Sequence, residues 1–168
     1  MTDDSDLIAR VRALGDHGSL EKYRHEFPGA NSRLDGIQAA VLQVKLRHLD
    51  AWTDRRIAVA RRYDEGLADV CRVPATLPDR RHVFHLYVIR VGNRTELMQH
   101  LSDQGIGCGI HYPVALPLSP AYADLGYSRE EFPVACRVAD EIVSLPMHAD
   151  LTDDQIDFVI EQVRAVAR

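Results

Sequence analysis

Between residues 34 and 49, apolar side chains recur at a spacing that a helix gathers onto one face. Leu34, Ile37, Val41 and Val44 stand at i, i+3, i+7 and i+10. Ala39, Ala40, Leu42, Leu46 and Leu49 widen that face, which predicts burial on more than one side. The pattern runs on to Leu67, with Arg55, Arg56, Arg61 and Arg62 on the solvated faces. A helix over residues 34–67 would be about 50 Å long at 1.5 Å per residue, unless it breaks or bends near Asp50. Ser32 and Asp35 form a weak relative of a capping box, and Gly29 permits a turn ahead of them. Earlier, Leu7, Val11 and Leu14 predict the buried stripe of a first helix, capped by Thr2 and stopped by Gly15 and Gly18. Residues 19–28 are polar and irregular and read as a loop.

Beyond Pro74 and Pro78 the period changes. Residues 82–91, HVFHLYVIRV, are β-branched and aromatic and predict a strand buried on both faces. A helix follows over residues 95–104, with Leu97, Met98 and Leu101 inward and Gly105 at its C-cap. Residues 106–113 read as a second strand that ends in a loop at His111 and Tyr112. Residues 132–142 predict a helix with Pro133 at its first position and Val134, Ala135, Val138, Ala139 and Ile142 inward. After a short extended segment, VSLPM, Thr152 and Gln155 form a capping box for a last helix built on Ile156, Val159, Ile160 and Val163. The architecture is therefore α/β in two layers: a small sheet centred on residues 82–91 and 106–112, covered by helices and preceded by the long helix. The corresponding division is residues 1–33, 34–67 and 68–168.

Composition narrows the function. A chain of 168 residues with a formal charge of −5 and no basic run excludes a general nucleic-acid binder. No apolar run approaches the roughly 18 residues of a membrane span, and no signal-peptide pattern is present. Cys71, Cys108 and Cys136 are odd in number and lack a CxxC pair, so free thiols in a reducing cytoplasm are expected. His82 and His85 fall on opposite faces of a strand, which argues against a shared metal.

Two places carry candidate chemistry. Asn31 and Arg33 set amide donors and a guanidinium fork just ahead of a helix, a combination suited to a phosphate or carboxylate. The same two residues also read as the brace of an ordinary capped core helix. The chain's two lysines, Lys22 and Lys45, lie in a polar loop and within the central helix. No serine–histidine–acid pattern, phosphate loop or zinc-ligand spacing is present.

Taken together, G-x-N-S-R-L-D-x-x-Q-A-A-x-L followed by K-L-x-x-L-D resembles the DegT/DnrJ/EryC1/StrS sugar aminotransferases. The likeness begins with Thr2, Asp3, Arg12, Leu14, His17 and Gly18 and continues through H-L-Y-V-I-R, G-I-H-Y-P and S-L-P-M. It departs at Cys108, where the family has threonine, at Ala115, where it has proline, and at Pro117, where it has a substrate-facing histidine. Proline neither donates a hydrogen bond nor carries a proton, so position 117 cannot do that histidine's work. The resemblance implies the small domain of a fold-type I pyridoxal phosphate enzyme, with a largely antiparallel sheet. It implies that Asn31 and Arg33 reach the cofactor of a neighbouring subunit, and that His111 and Tyr112 face the substrate. It also implies that the chain starts just after the family's Schiff-base lysine. The expectation is then the C-terminal half of a nucleotide-keto-sugar aminotransferase, with no catalytic residue of its own and no covalently held pyridoxal phosphate. Its partners would be a second copy or a complementary large-domain chain. The alternative is a non-enzymatic small-domain module that binds a full-length relative or another protein.

Overall fold

In the first unit, α1 (Ser5–Gly15) is capped by Asp4, whose Oδ1 accepts from the N–H groups of Asp6 and Leu7 at 3.0 Å each. Thr2, expected as the cap, instead accepts from the Asp4 N–H at 3.2 Å. A carboxylate in that position satisfies two orphan donors and favours the helix dipole. The computed structural model describes residues 2–167, which form two compact units, the first ending at His48 and the second beginning at Leu49. The stripe expected to be buried is not: Leu7, Val11 and Leu14 are exposed and only Ala13 is buried. Residues 19–28 are not a plain loop, because β1 (Ser19–Glu21) and β2 (Arg24–His25) pair as an antiparallel hairpin. Its strands are too short and too polar to show an alternating pattern.

The helix expected over residues 34–67 is two helices, α2 (Gly36–Leu46) and α3 (Leu49–Leu67). At the end of α2 the N–H of Arg47 bonds the carbonyl of Val44, and that of His48 the carbonyl of Lys45. These tighter i to i+3 bonds close the turn rather than propagate it. The capping box is set one turn later than Ser32 suggested, between Asp35 and Gln38. Contrary to expectation, no residue of α2 is buried, because nothing else in the first unit covers its apolar face.

The second unit holds the core. Strands β3 (Tyr87–Arg90) and β4 (Ile142–Leu145) pair antiparallel, with Tyr87 opposite Leu145 and Arg90 opposite Ile142. Helices α4 (Arg94–Asp103), α5 (Pro133–Glu141) and α6 (Asp153–Val166) complete it. Helix α6 packs on α3 and α4, and α4 on β4. Tyr63, Leu67, Tyr87, Ile89, Leu97, Leu101, Ile156 and Val163 are fully buried, each apolar side chain contributing about 1.5–3 kcal/mol. The Tyr63 and Tyr87 rings lie 4.9 Å apart, and their hydroxyls donate to the Pro146 carbonyl and to Asp64.

Three expectations change here. The strand expected over residues 82–91 shortens to β3, because Phe84 turns the chain at φ 46° and the Phe84 and His85 carbonyls accept from Arg56 instead of a neighbouring strand. The expected partner, residues 106–112, pairs only at Gly109, opposite Ser144. The partner is β4, which the sequence pattern divides between the end of a helix and a short extended segment. In α5 the buried positions are Cys136 and Ala139, while Val134 and Ala135 are exposed. The last helix is as expected: Thr152 Oγ1 accepts from Gln155, Gln155 Oε1 accepts from Thr152, and Ile156, Val159 and Val163 are buried.

Candidate functional site

The four candidate residues fall in different units, two in each. In the first, residues 29–33 run antiparallel against the end of α1. Ala30 N–H bonds the Leu14 carbonyl at 2.9 Å, His17 N–H the Ala30 carbonyl at 3.0 Å, and Ser32 N–H the Gly15 carbonyl at 2.8 Å. Glycine is required where these segments touch. A Cβ on Gly29 would lie 2.3 Å from the Gly18 nitrogen, and Gly18 itself has φ 77° and the Phe27 carbonyl against it. Asn31 pairs with Asp16 across this zipper. Arg33 Nη1 donates to Asp16 Oδ1 at 2.8 Å.

This leaves free donors on the turn. Arg33 is 59 % exposed and spends one of its five N–H groups on Asp16. The Asn31 side chain is exposed, and its amide has no partner among the described residues. The start of α2 offers less than its sequence suggested, because Asp35 already takes the Ile37 N–H at 2.8 Å and Gln38 takes the Asp35 N–H at 3.2 Å. An anion at this turn would therefore be held by side chains more than by the helix terminus. Beside it is an open hollow of about 420 Å³ lined by Asp16, His17, Lys22, Tyr23, His25 and Arg33 among others. His25 Nδ1 lies 3.0 Å from the His17 carbonyl, which can only accept, so that nitrogen carries the proton.

Lys22 thus lines a hollow that its sequence context did not suggest. Its ammonium lies 4.9 Å over the Tyr23 ring, and both residues are exposed. Lys45 is exposed on α2. A Schiff-base lysine is activated by burial in an apolar pocket or by a neighbouring cation, and exposure denies both lysines the first. The exposed donors of Asn31 and Arg33 are of the kind that suits a phosphate or carboxylate.

In the second unit, Gly109 exchanges two backbone hydrogen bonds with Ser144, at 3.2 and 2.8 Å, and this pins the segment to β4. His111 follows, with its Nδ1 2.8 Å from Ser144 Oγ. Tyr112 is joined to it by a cis peptide, is 74 % exposed, and meets the His111 ring edge-on at 5.6 Å. Pro117 sits in a 3-10 turn, Leu116–Leu118. Burial raises the Cys108 thiol above its usual range, and burial with the Asp69 charge pushes Cys71 up to about 11, so neither is a ready nucleophile. Among the described residues there is no group of His, Cys, Asp or Glu able to hold a metal, and no helix is long and apolar enough to cross a membrane.

Sequence reasoning missed Asp16 and Ser144, the residues that hold Arg33 and His111. They stand 17 and 33 positions from their partners, and no local spacing marks such a pair.

Comparison with known proteins places this geometry. The sequence model of the DegT/DnrJ/EryC1/StrS aminotransferase family matches residues 1–164. The chain is 47 % identical to the erythromycin biosynthesis sensory transduction protein EryC1 of Saccharopolyspora erythraea, over 99 % of this chain and 46 % of that protein. It is 44 % identical to a dTDP-3-amino-3,4,6-trideoxy-alpha-D-glucose transaminase of Streptomyces venezuelae, over 98 % of this chain and 44 % of that one. The crystal structure of S. venezuelae DesV in complex with a ketimine intermediate superposes with a TM-score of 0.92 at 44 % identity, over 98 % of this chain and 45 % of that one. The chain thus spans about half the length of the relatives it matches, and its α/β fold with small antiparallel sheets is that of pyridoxal phosphate aminotransferases.

Proposed function

The chain belongs to the DegT/DnrJ/EryC1/StrS aminotransferase family, and from that premise we propose that it supplies the interface turn and small domain of a nucleotide-keto-sugar aminotransferase. Enzymes of this family depend on pyridoxal phosphate, which when bound supplies the electron sink for moving an amino group to a carbonyl carbon. In this reading the lysine that anchors the cofactor comes from a large domain outside residues 1–168. This chain's part is to bind and orient.

The observation that carries the reading is the turn at residues 29–33. Its backbone is fixed by three hydrogen bonds to the end of α1 and the turn that follows it, while the Asn31 amide and most of the Arg33 guanidinium stay exposed. A rigid loop with uncommitted donors suits a phosphate that arrives from a partner. The apolar face of α2, with Ile37, Val41, Leu42 and Val44 all exposed, supports association with a large domain or a second copy. The name of the S. venezuelae transaminase supports a dTDP-linked keto sugar as the class of substrate. His111 and Tyr112 are the residues assigned to face it, with His111 the polar group available where Pro117 has none.

Arg33→Ala in the chain combined with a lysine-bearing large domain of the family tests the reading. A charge-assisted hydrogen bond is worth roughly 1.5–3 kcal/mol, so cofactor retention should weaken by about one to two orders of magnitude. A lowered melting temperature with unchanged cofactor affinity would show that Arg33 only braces the turn.

A further inference from the structure

Strand β4 is buried along its whole length, and three of its four residues are Ile142, Val143 and Leu145. The fourth, Ser144, is polar and only 4 % exposed. A hydroxyl removed from water needs a partner, and among the described residues the only one at Ser144 Oγ is His111 Nδ1, at 2.8 Å. The direction of that bond follows. Nδ1–H donating to Oγ would leave the buried hydroxyl proton with no acceptor, so the hydroxyl donates and Nδ1 accepts. A neutral imidazole has one proton, and it must then sit on Nε2.

The ring is also held from below. A Cβ on Gly109 would lie 3.0 Å from His111 Cε1, so a side chain there would push the ring aside by a few tenths of an ångström. Gly109 is fixed to Ser144 by its two backbone bonds, so one residue of the core strand sets both the platform and the hydrogen bond. His111 is exposed, and its Nε2 has no partner among the described residues.

We propose that Ser144 is the positioning residue of His111: it fixes the ring over Gly109 in the Nε2–H tautomer and so presents one N–H donor to an oxygen of the nucleotide sugar. The choice of ligand rests on the reading of His111 given above, and the positioning does not. Long-range proton–nitrogen NMR of the chain with 15N-histidine, at a pH where the ring is neutral, reads the tautomer directly. The His111 signals are identified by their loss in His111→Gln. A single Nε2–H pattern is expected in the unmodified chain. Ser144→Ala should move it to the averaged pattern of a free imidazole, and Ser144→Thr, which keeps the hydroxyl, should restore it. An Nδ1–H or averaged pattern in the unmodified chain would overturn the proposal, as would an unchanged pattern in Ser144→Ala. These spectra decide the positioning whether or not the chain takes part in sugar amination.

Discussion

Arg33 reaches back across 17 residues to Asp16 and pairs with it at 2.8 Å, tying the donor-bearing turn to the end of α1. The backbone zipper between residues 14–17 and 30–32 lies alongside, so the pair is one of several ties and not the only one. Its side chains are 59 % and 45 % exposed, which limits an ion pair to roughly 0–1 kcal/mol. Asp16→Ala should therefore lower the melting temperature by no more than about 3 °C, measured by circular dichroism. A loss of about 10 °C would mean that the pair, not the backbone, sets the turn.

A second test concerns how closely α3 and α6 approach. Gly66 lies in the last turns of α3, and a Cβ there would sit 2.7 Å from Cγ2 and 2.9 Å from Cδ1 of Ile160. Alanine gains about 1 kcal/mol of helix propensity, while overpacking costs about 1–3 kcal/mol, and a β-branched neighbour has few rotamers to escape into. Gly66→Ala should destabilise the chain by up to about 2 kcal/mol in urea unfolding. With Ile160→Ala already in place, the same change should be neutral or stabilising, a coupling that a double-mutant cycle reads directly. Additive effects would contradict this close approach.

Charge also ties α6 to α3 and to the turn that follows α3. Arg55 and Arg62 pair with Asp153, Arg62 with Asp157, and Arg164 with Asp69. The hydrogen bond from Arg55, with the charges of both arginines, holds the Asp153 carboxyl below the ordinary carboxylate range, and the hydrogen bond from Arg164 does the same for Asp69. A carboxylate whose folded pKa is depressed adds stability above its unfolded value, about 3.9, and loses it as pH falls through the folded value. Burial raises Asp64 and acts in the opposite sense. Melting temperature should therefore fall as pH drops below about 4, and Asp69→Asn with Asp153→Asn should flatten that fall. Superimposable profiles would show that these pairs contribute nothing.

Much of the fold was legible where the cause is local. The Thr152–Gln155 box, Pro133 opening α5 and the Leu97–Leu101 spacing in α4 are each decided within one helical turn. What could not be read was decided at a distance. Residues 82–86 have strand composition, yet Arg56 on α3 takes the carbonyls of Phe84 and His85, along with that of Met147, and β3 begins only at Tyr87. Ile142 continues a helical pattern and residues 143–147 read as a short extended segment, so nothing local marks them as the strand opposite β3. The exposed faces of α1 and α2 are amphipathic signals without a cover in their own unit. Asn31 and Arg33 are visible as donors ahead of a helix and, with His111 and Tyr112, through family resemblance, while Asp16 and Ser144 become visible only once the chain is folded.

The central claim is that this chain completes a sugar aminotransferase, and amino transfer itself is the most direct measurement. The chain is mixed with a lysine-bearing large domain of the family, pyridoxal phosphate, an amino donor and a nucleotide-linked keto sugar, and the product is read by mass spectrometry. Amino sugar should form only when both polypeptides are present, and Arg33→Ala should reduce it by at least about tenfold at limiting cofactor. A mixture that binds cofactor but forms no amino sugar, or one that is equally active without this chain, would contradict the account.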